Sequence, residues 1–269
     1  MKIQVHINKK TVSIKDRAFS YGDGLFETIL IKNKNPIYLQ DHINRLKDGC
    51  KKLKIAIPNS DLIKKSIKKS IGNTNECIVK IIYTRGLSDY GYGYDSNINP
   101  QLYVNKKNKN KVNKKKLISL GYSNYLLNEN SYLSQIKHMN RLEQILGFTF
   151  AQKNKFDSYI LLSTSKKIIE CISSNIFFYI FKKNSFSFYT PKLDKIGVDG
   201  IAKKNIIKYL KRKKIKIIEK NINKKDINKY HGCFICNSIT GIQFVNKIDK
   251  KLLTHVALLE ELLDKYIYE

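Results

Sequence analysis

Three separated stretches of the chain hold residue types able to do covalent or acid–base chemistry. Lys137 lies in the phrase IKHMNRLEQ (136–144), just before a helical pattern. A lysine amine that is neutral in a partly desolvated setting can attack a carbonyl and shuttle protons. In so lysine-rich a chain only the surrounding phrase distinguishes Lys137 from surface charge. Glu170 is the lone carboxylate of an otherwise apolar hairpin, IECISSNIF (169–177). A buried carboxylate is costly unless paired, so Glu170 needs a cationic partner or a site. The third stretch, DRAFSYGDGLFETI (16–29), makes a tight Gly22-Asp23-Gly24 turn into a strand. Further on, Gly197-Val198-Asp199-Gly200 precedes a helix, where backbone N–H groups can cradle an anion. Asp199 would repel that anion unless its side chain turns away to cap the helix.

Other chemistries have little support. His6, His42, His231 and His255 lack metal-ligand spacing, and His138 is turned away from its neighbour Lys137 by backbone geometry. Cys233 and Cys236 have CxxC spacing, but the stretch HGCFICNSI reads as a strand, in which residues three apart face opposite sides. Neither a redox pair nor a metal site is expected there.

The elements that must position these residues follow from periodicity. Ile3, Val5 and Ile7 alternate as in a half-buried strand. Leu39, Ile43, Leu46, Cys50 and Leu53 form a helical stripe, and a second helix runs from Ser60, placed to cap it, to Ile71, with Gly72 as its stop. Strands at 77–83 and 102–104 flank a tyrosine- and glycine-rich loop. The polar run 105–116 is read as a solvated linker holding the domain boundary. Beyond it come a strand at 117–122, a helix at 140–153, and two hairpins, the second turning at Lys183-Asn184. A helix from Gly200 to about Lys211, strands KIKIIEK and FICNSI, and a leucine-rich closing helix complete the chain. Hairpins outnumber strand–helix–strand units, so the expected class is α/β (α+β) with largely antiparallel sheets. The expected domains are 1–113, smaller, and 114–269, larger and carrying Lys137.

At 269 residues, 42% hydrophobic and 11% aromatic, the chain can bury one large or two ordinary cores. Its formal charge of +29 raises the question of a polyanion partner. Lysine, asparagine and isoleucine are enriched together, as codon drift toward A and T produces. Arginine, the better residue for planar phosphate and base contacts, is scarce beside lysine. No specific nucleic-acid partner is therefore expected. The longest apolar run, Ile176 to Phe181, is too short to span a bilayer, and the N-terminus does not resemble a signal peptide. With five scattered cysteines, the expected home is a reducing cytoplasm, with no membrane partner.

In this order and at these separations, the three stretches resemble the fold-type IV pyridoxal-phosphate family. That family includes branched-chain and D-amino-acid aminotransferases and 4-amino-4-deoxychorismate lyase. The likeness runs over nearly the whole chain, and IKHMNRLEQ with ECISSNIF is most similar to the lyase branch. It implies a two-domain architecture with pyridoxal 5'-phosphate in an interdomain cleft, a homodimer, and 4-amino-4-deoxychorismate as the small-molecule substrate. Lys137 matches the lysine bonded to the cofactor, and Glu170 the carboxylate that keeps its pyridine nitrogen protonated. Arg45 matches the phosphate arginine, Val198 and Asp199 the backbone cradle, and Ser238 a hydroxyl donor to the phosphate. Tyr21, Phe26, Thr28, Tyr92 and Asn237 match positions near the substrate. The family's glycine–arginine–glycine–tyrosine stretch reads RGLSDYGY here, with Tyr90 in place of the arginine, which removes any carboxylate contact from that position.

Overall fold

The computed structural model describes residues 2–109, 117–130, 132–151 and 155–264. Its contacts cluster into two compact units, Met1–Val112 with Ile136–Arg141, and Asn113–Gln135 with Leu142–Glu269. The stretch holding Lys137, expected in the C-terminal domain, therefore clusters with the first unit. The cause is main-chain pairing: Phe26 N–H donates to Lys137 O and Met139 N–H to Gly24 O, each at 2.9 Å.

The first unit comprises β1 (Gln4–Ile7), α1 (Arg17–Tyr21), β2 (Gly24–Lys32), β3 (Asn35–Pro36), α2 (Leu39–Leu53), α3 (Ser60–Ile71), β4 (Cys77–Thr84) and β5 (Gln101–Lys107). Its strands form a sheet in the order β1-β5-β4-β2-β3. β2, β4 and β5 pair antiparallel, while β1 joins β5 in parallel. In β2, Leu25, Glu27, Ile29 and Ile31 are buried and Phe26, Thr28 and Leu30 are half-buried, the period of two that a strand imposes. The buried row meets α2, whose stripe sinks Ile43, Leu46 and Cys50 into the core. α3 is capped one residue earlier than its sequence suggests. Asn59, not Ser60, is the N-cap, and its side chain accepts from Asp61 N–H at 2.7 Å.

The second unit comprises β6 (Leu117–Leu127), α4 (Leu142–Ala151), β7 (Ser158–Ser163), β8 (Lys167–Cys171), β9 (Asn175–Lys182), β10 (Ser185–Pro191), α5 (Ile201–Arg212), β11 (Lys216–Lys220), β12 (Ile222–Asn223), β13 (Gly232–Asn237), β14 (Gly241–Ile248), β15 (Lys251–Leu252) and α6 (Ala257–Asp264). One sheet holds these strands, in the order β11-β10-β9-β13-β14-β6-β7-β8-β12, with β15 paired to β14. Hairpin pairing dominates, and parallel pairs occur at β10–β11, β14–β6 and β6–β7. The β9–β10 hairpin turns at Lys183 and Asn184, with φ of 49° and 55°. Two successive positive φ values match the right-handed twist of the strands they join. Ile160, Ile176, Phe178 and Ile235 are buried in this unit's main apolar cluster. Cys233 and Cys236 are both buried in β13, only Cys233 as part of that cluster, and burial pushes the Cys236 thiol up to about 12. A thiol held protonated in this way is a poor nucleophile and a poor metal ligand.

Candidate active site

In the first unit, the Gly22-Asp23-Gly24 turn is shaped by what surrounds it. Gly22 has φ 65°, and a Cβ there would run into the side-chain amide of Asn140. Only glycine meets both conditions at no cost. This close fit seats the 136–141 stretch on the start of β2, where His138 bridges to Leu25. Lys137 Nζ lies 4.5 Å from the centroid of the Phe26 ring. The structure thus brings together Lys137 and Phe26, and Thr28 shares the strand face of Phe26 by alternation.

Arg45 is engaged on the other row of β2. Its Nε donates to Glu27 Oε1 at 2.7 Å and its Nη2 to Oε2 at 2.6 Å, while His42 Nδ1 stands 2.6 Å from the same Oε2. Burial pushes the Glu27 carboxyl up, but the charges and hydrogen bonds of Arg45 and His42 outweigh it and hold it at about 2. Sequence reasoning missed this cluster. The signal was available, because Glu27 is a lone carboxylate in an apolar strand just as Glu170 is.

Tyr21 and Tyr92 approach with ring centroids 5.6 Å apart. The loop bearing Tyr92 is held by Arg17, which donates to the carbonyls of Gly91, Tyr92 and Gly93 at 2.7–3.1 Å. Asp23 binds Arg17 Nε at 2.9 Å and Arg85 Nε at 2.7 Å. The Arg17 guanidinium thus holds the loop, and Tyr90 itself is exposed.

In the second unit, Glu170 is 5% exposed on β8, and its Oε2 accepts Val198 N–H at 2.9 Å. Gly197 turns with φ 89°, and Asn175 Nδ2 donates to Val198 O at 3.0 Å. The two cradle donors have protein acceptors in this arrangement, Val198 on Glu170 and Asp199 on Gln135 O at 3.3 Å. Asp199 does not cap α5 with its side chain. Gly200 is the N-cap and has no side-chain cap bond. The Asp199 carboxylate instead meets Lys204 at 3.0 Å and Lys203 at 3.5 Å, because two ammonium groups one turn ahead offer a full countercharge. Asn237 shapes the turn that carries Ser238. Its Oδ1 accepts from Ile239 and Thr240 N–H, and its Nδ2 donates to Ser174 Oγ. Next to this turn, Thr240 Oγ1 is buried with no hydrogen-bond partner in the protein.

Among the described residues, no three His, Cys, Asp or Glu side chains stand where they could hold one metal ion, and no helix is long and apolar enough to cross a membrane. The model of the family described as amino-transferase class IV matches residues 24–248. The chain belongs to the class IV aminotransferase family. Among members similar to it, the aminodeoxychorismate lyase of Vibrio harveyi is 24% identical over 240 residues, covering 88% of this chain and 87% of its own. A D-alanine aminotransferase of Bacillus licheniformis is 25% identical, covering 88% of this chain and 83% of its own. The crystal structure of 4-amino-4-deoxychorismate lyase from Pseudomonas aeruginosa matches with a TM-score of 0.89 at 23% identity, over 97% of this chain and 96% of that one. This member of the class IV family therefore has the fold of that structure along nearly its whole length.

Proposed function

We propose that this class IV aminotransferase homologue is a pyridoxal-phosphate lyase that converts 4-amino-4-deoxychorismate to 4-aminobenzoate and pyruvate, supplying folate synthesis. The observation that carries the reading is Lys137 in its phrase IKHMNRLEQ, its amine seated on the aromatic face of Phe26. The residues present suit the cofactor. Glu170 is a buried carboxylate already bonded to a backbone N–H, as a partner for a ring nitrogen must be held in place. Thr240 Oγ1 is a buried hydroxyl with no protein partner, beside the Ser238 turn assigned to the phosphate.

When bound, pyridoxal phosphate supplies an aldehyde that takes the substrate amine and a ring that accepts an electron pair. Lys137 would hold the cofactor through its side-chain amine. In the reaction that amine would remove the proton from ring C4 of the substrate and then donate a proton to the departing enolpyruvyl group. Glu170 keeps the pyridine nitrogen protonated. Arg45, Ser238 and the backbone of Val198 and Asp199 would take the phosphate. Tyr21, Phe26, Thr28 and Tyr92 line the substrate side, and Asn237 shapes the Ser238 turn. Aromatisation of the product makes the step effectively irreversible. The reading carries with it a cytoplasmic homodimer, which sedimentation of the purified protein and fractionation of the source cell test.

The deciding experiment is incubation of purified protein with 4-amino-4-deoxychorismate and no keto acid. Equal 4-aminobenzoate and pyruvate over many turnovers are expected. Rapid glutamate formation from D- or branched-chain amino acids and 2-oxoglutarate, with no 4-aminobenzoate, would assign the protein to the aminotransferases instead. Borohydride should fix the cofactor to Lys137, and fixation at another lysine would overturn the site.

A further inference from the structure

We infer that Arg141 is the positioning residue that sets Lys137 against Phe26, an inference resting on the reading of Lys137 as the cofactor lysine. Arg141 ends the six-residue stretch that clusters with the first unit. Its Nε donates to His138 O at 2.8 Å and its Nη2 to Ile136 O at 3.2 Å. The two acceptors are the carbonyls on either side of Lys137, so one rigid guanidinium staples the peptide units that flank the lysine. The carbonyl of Lys137 itself is held by Phe26 N–H. The backbone at Lys137 is thereby anchored on successive carbonyls, two by the arginine and one by β2.

The same guanidinium carbon lies 5.9 Å from the Phe26 ring centroid, with Lys137 Nζ at 4.5 Å and Lys80 Nζ, from β4, at 5.4 Å. Three basic side chains therefore border one aromatic ring. Lys137 Nζ approaches the ring most closely. A lysine at position 141 could not reproduce this staple, because an ammonium lacks the planar fork that meets two carbonyls at once.

The test uses the full chain, with pyridoxal phosphate added and the visible absorbance of the lysine-bound cofactor followed in time. Borohydride fixation and peptide mapping locate the bond. Arg141→Gln should bond the cofactor on the order of 10-fold more slowly and lower kcat similarly, with little change in KM, because a misplaced nucleophile loses orientation rather than binding. Arg141→Lys should fall close to Arg141→Gln, since one ammonium cannot meet both carbonyls, and full rescue by lysine would overturn the inference. Bonding and kcat at parental values in Arg141→Gln would overturn the inference, as would losses that merely follow the fraction of unfolded protein, read from melting curves. Absence of label at Lys137 in the parent protein would instead overturn the cofactor reading, and the two failures are thereby told apart.

Discussion

Glu27 and Glu170 occupy similar local settings in different units. Each is the lone carboxylate of a mostly apolar strand, 1% and 5% exposed. Their partners differ in kind. Both oxygens of Glu27 face cationic or ring N–H donors from one helix, with the Arg45 fork closed on it at 2.6–2.7 Å. Glu170 Oε2 takes a main-chain N–H from Val198, a bond that brings no countercharge. A carboxylate locked between Arg45 and His42 is committed to holding its helix and arginine in place. Glu170 is instead tied to the backbone of the 197–200 stretch. Burial of a carboxylate therefore does not by itself identify a chemical role.

The largest effect that could break this contrast is on stability. Glu27→Gln leaves Arg45 buried without its anion and should cost about 3–5 kcal/mol, measured from urea unfolding. Glu170→Gln should cost far less, and equal losses would erase the distinction. The order reverses for catalysis. Glu170→Gln should retain pyridoxal phosphate yet turn over about 100-fold more slowly, or ~2.7 kcal/mol of barrier. If it turned over like the parent, Glu170 would not be the partner of the pyridine nitrogen.

Acid tests the Glu27 cluster directly. The Glu27 pKa is lowered from 4.5 to about 2 in the fold. Its contribution is fully present above about 4.5 and is lost as the pH falls toward 2. The unfolding midpoint of the parent should drop through that window, and Glu27→Gln should lack that component of the slope. His138 acts at higher pH. Its pKa falls from 6.5 to about 4 on folding, so the unfolded chain binds the proton more tightly, and stability present above 6.5 declines between 6.5 and 4. His138→Gln should flatten that part of the curve. The smallest effect expected is at Thr240→Val. Loss of a hydroxyl that has no protein partner should change stability by less than about 1 kcal/mol, while equilibrium dialysis should show weaker pyridoxal-phosphate binding. Unchanged binding would remove Thr240 from the phosphate site.

The sequence by itself determined whatever depends on neighbours a few residues away. The alternation of β2, the stripe of α2 and the Lys183-Asn184 turn are local periodicities or local φ preferences, and they are legible without the fold. The phrases around Lys137 and Glu170 were legible as phrases. Tertiary structure alone decided which charges meet. Glu27 and Arg45 are 18 positions apart, and nothing in the spacing says which row of β2 the helix α2 covers. Asp199 reads as a helix cap, yet two lysines of the following turn hold its carboxylate. The stretch 136–141 precedes a helix of the second unit in sequence, but its hydrogen bonds to β2 place it with the first. Residue pattern sets local conformation because torsional preferences and side-chain period act over one or two turns. Pairing between distant charges depends on which faces pack together, and only the folded chain settles that.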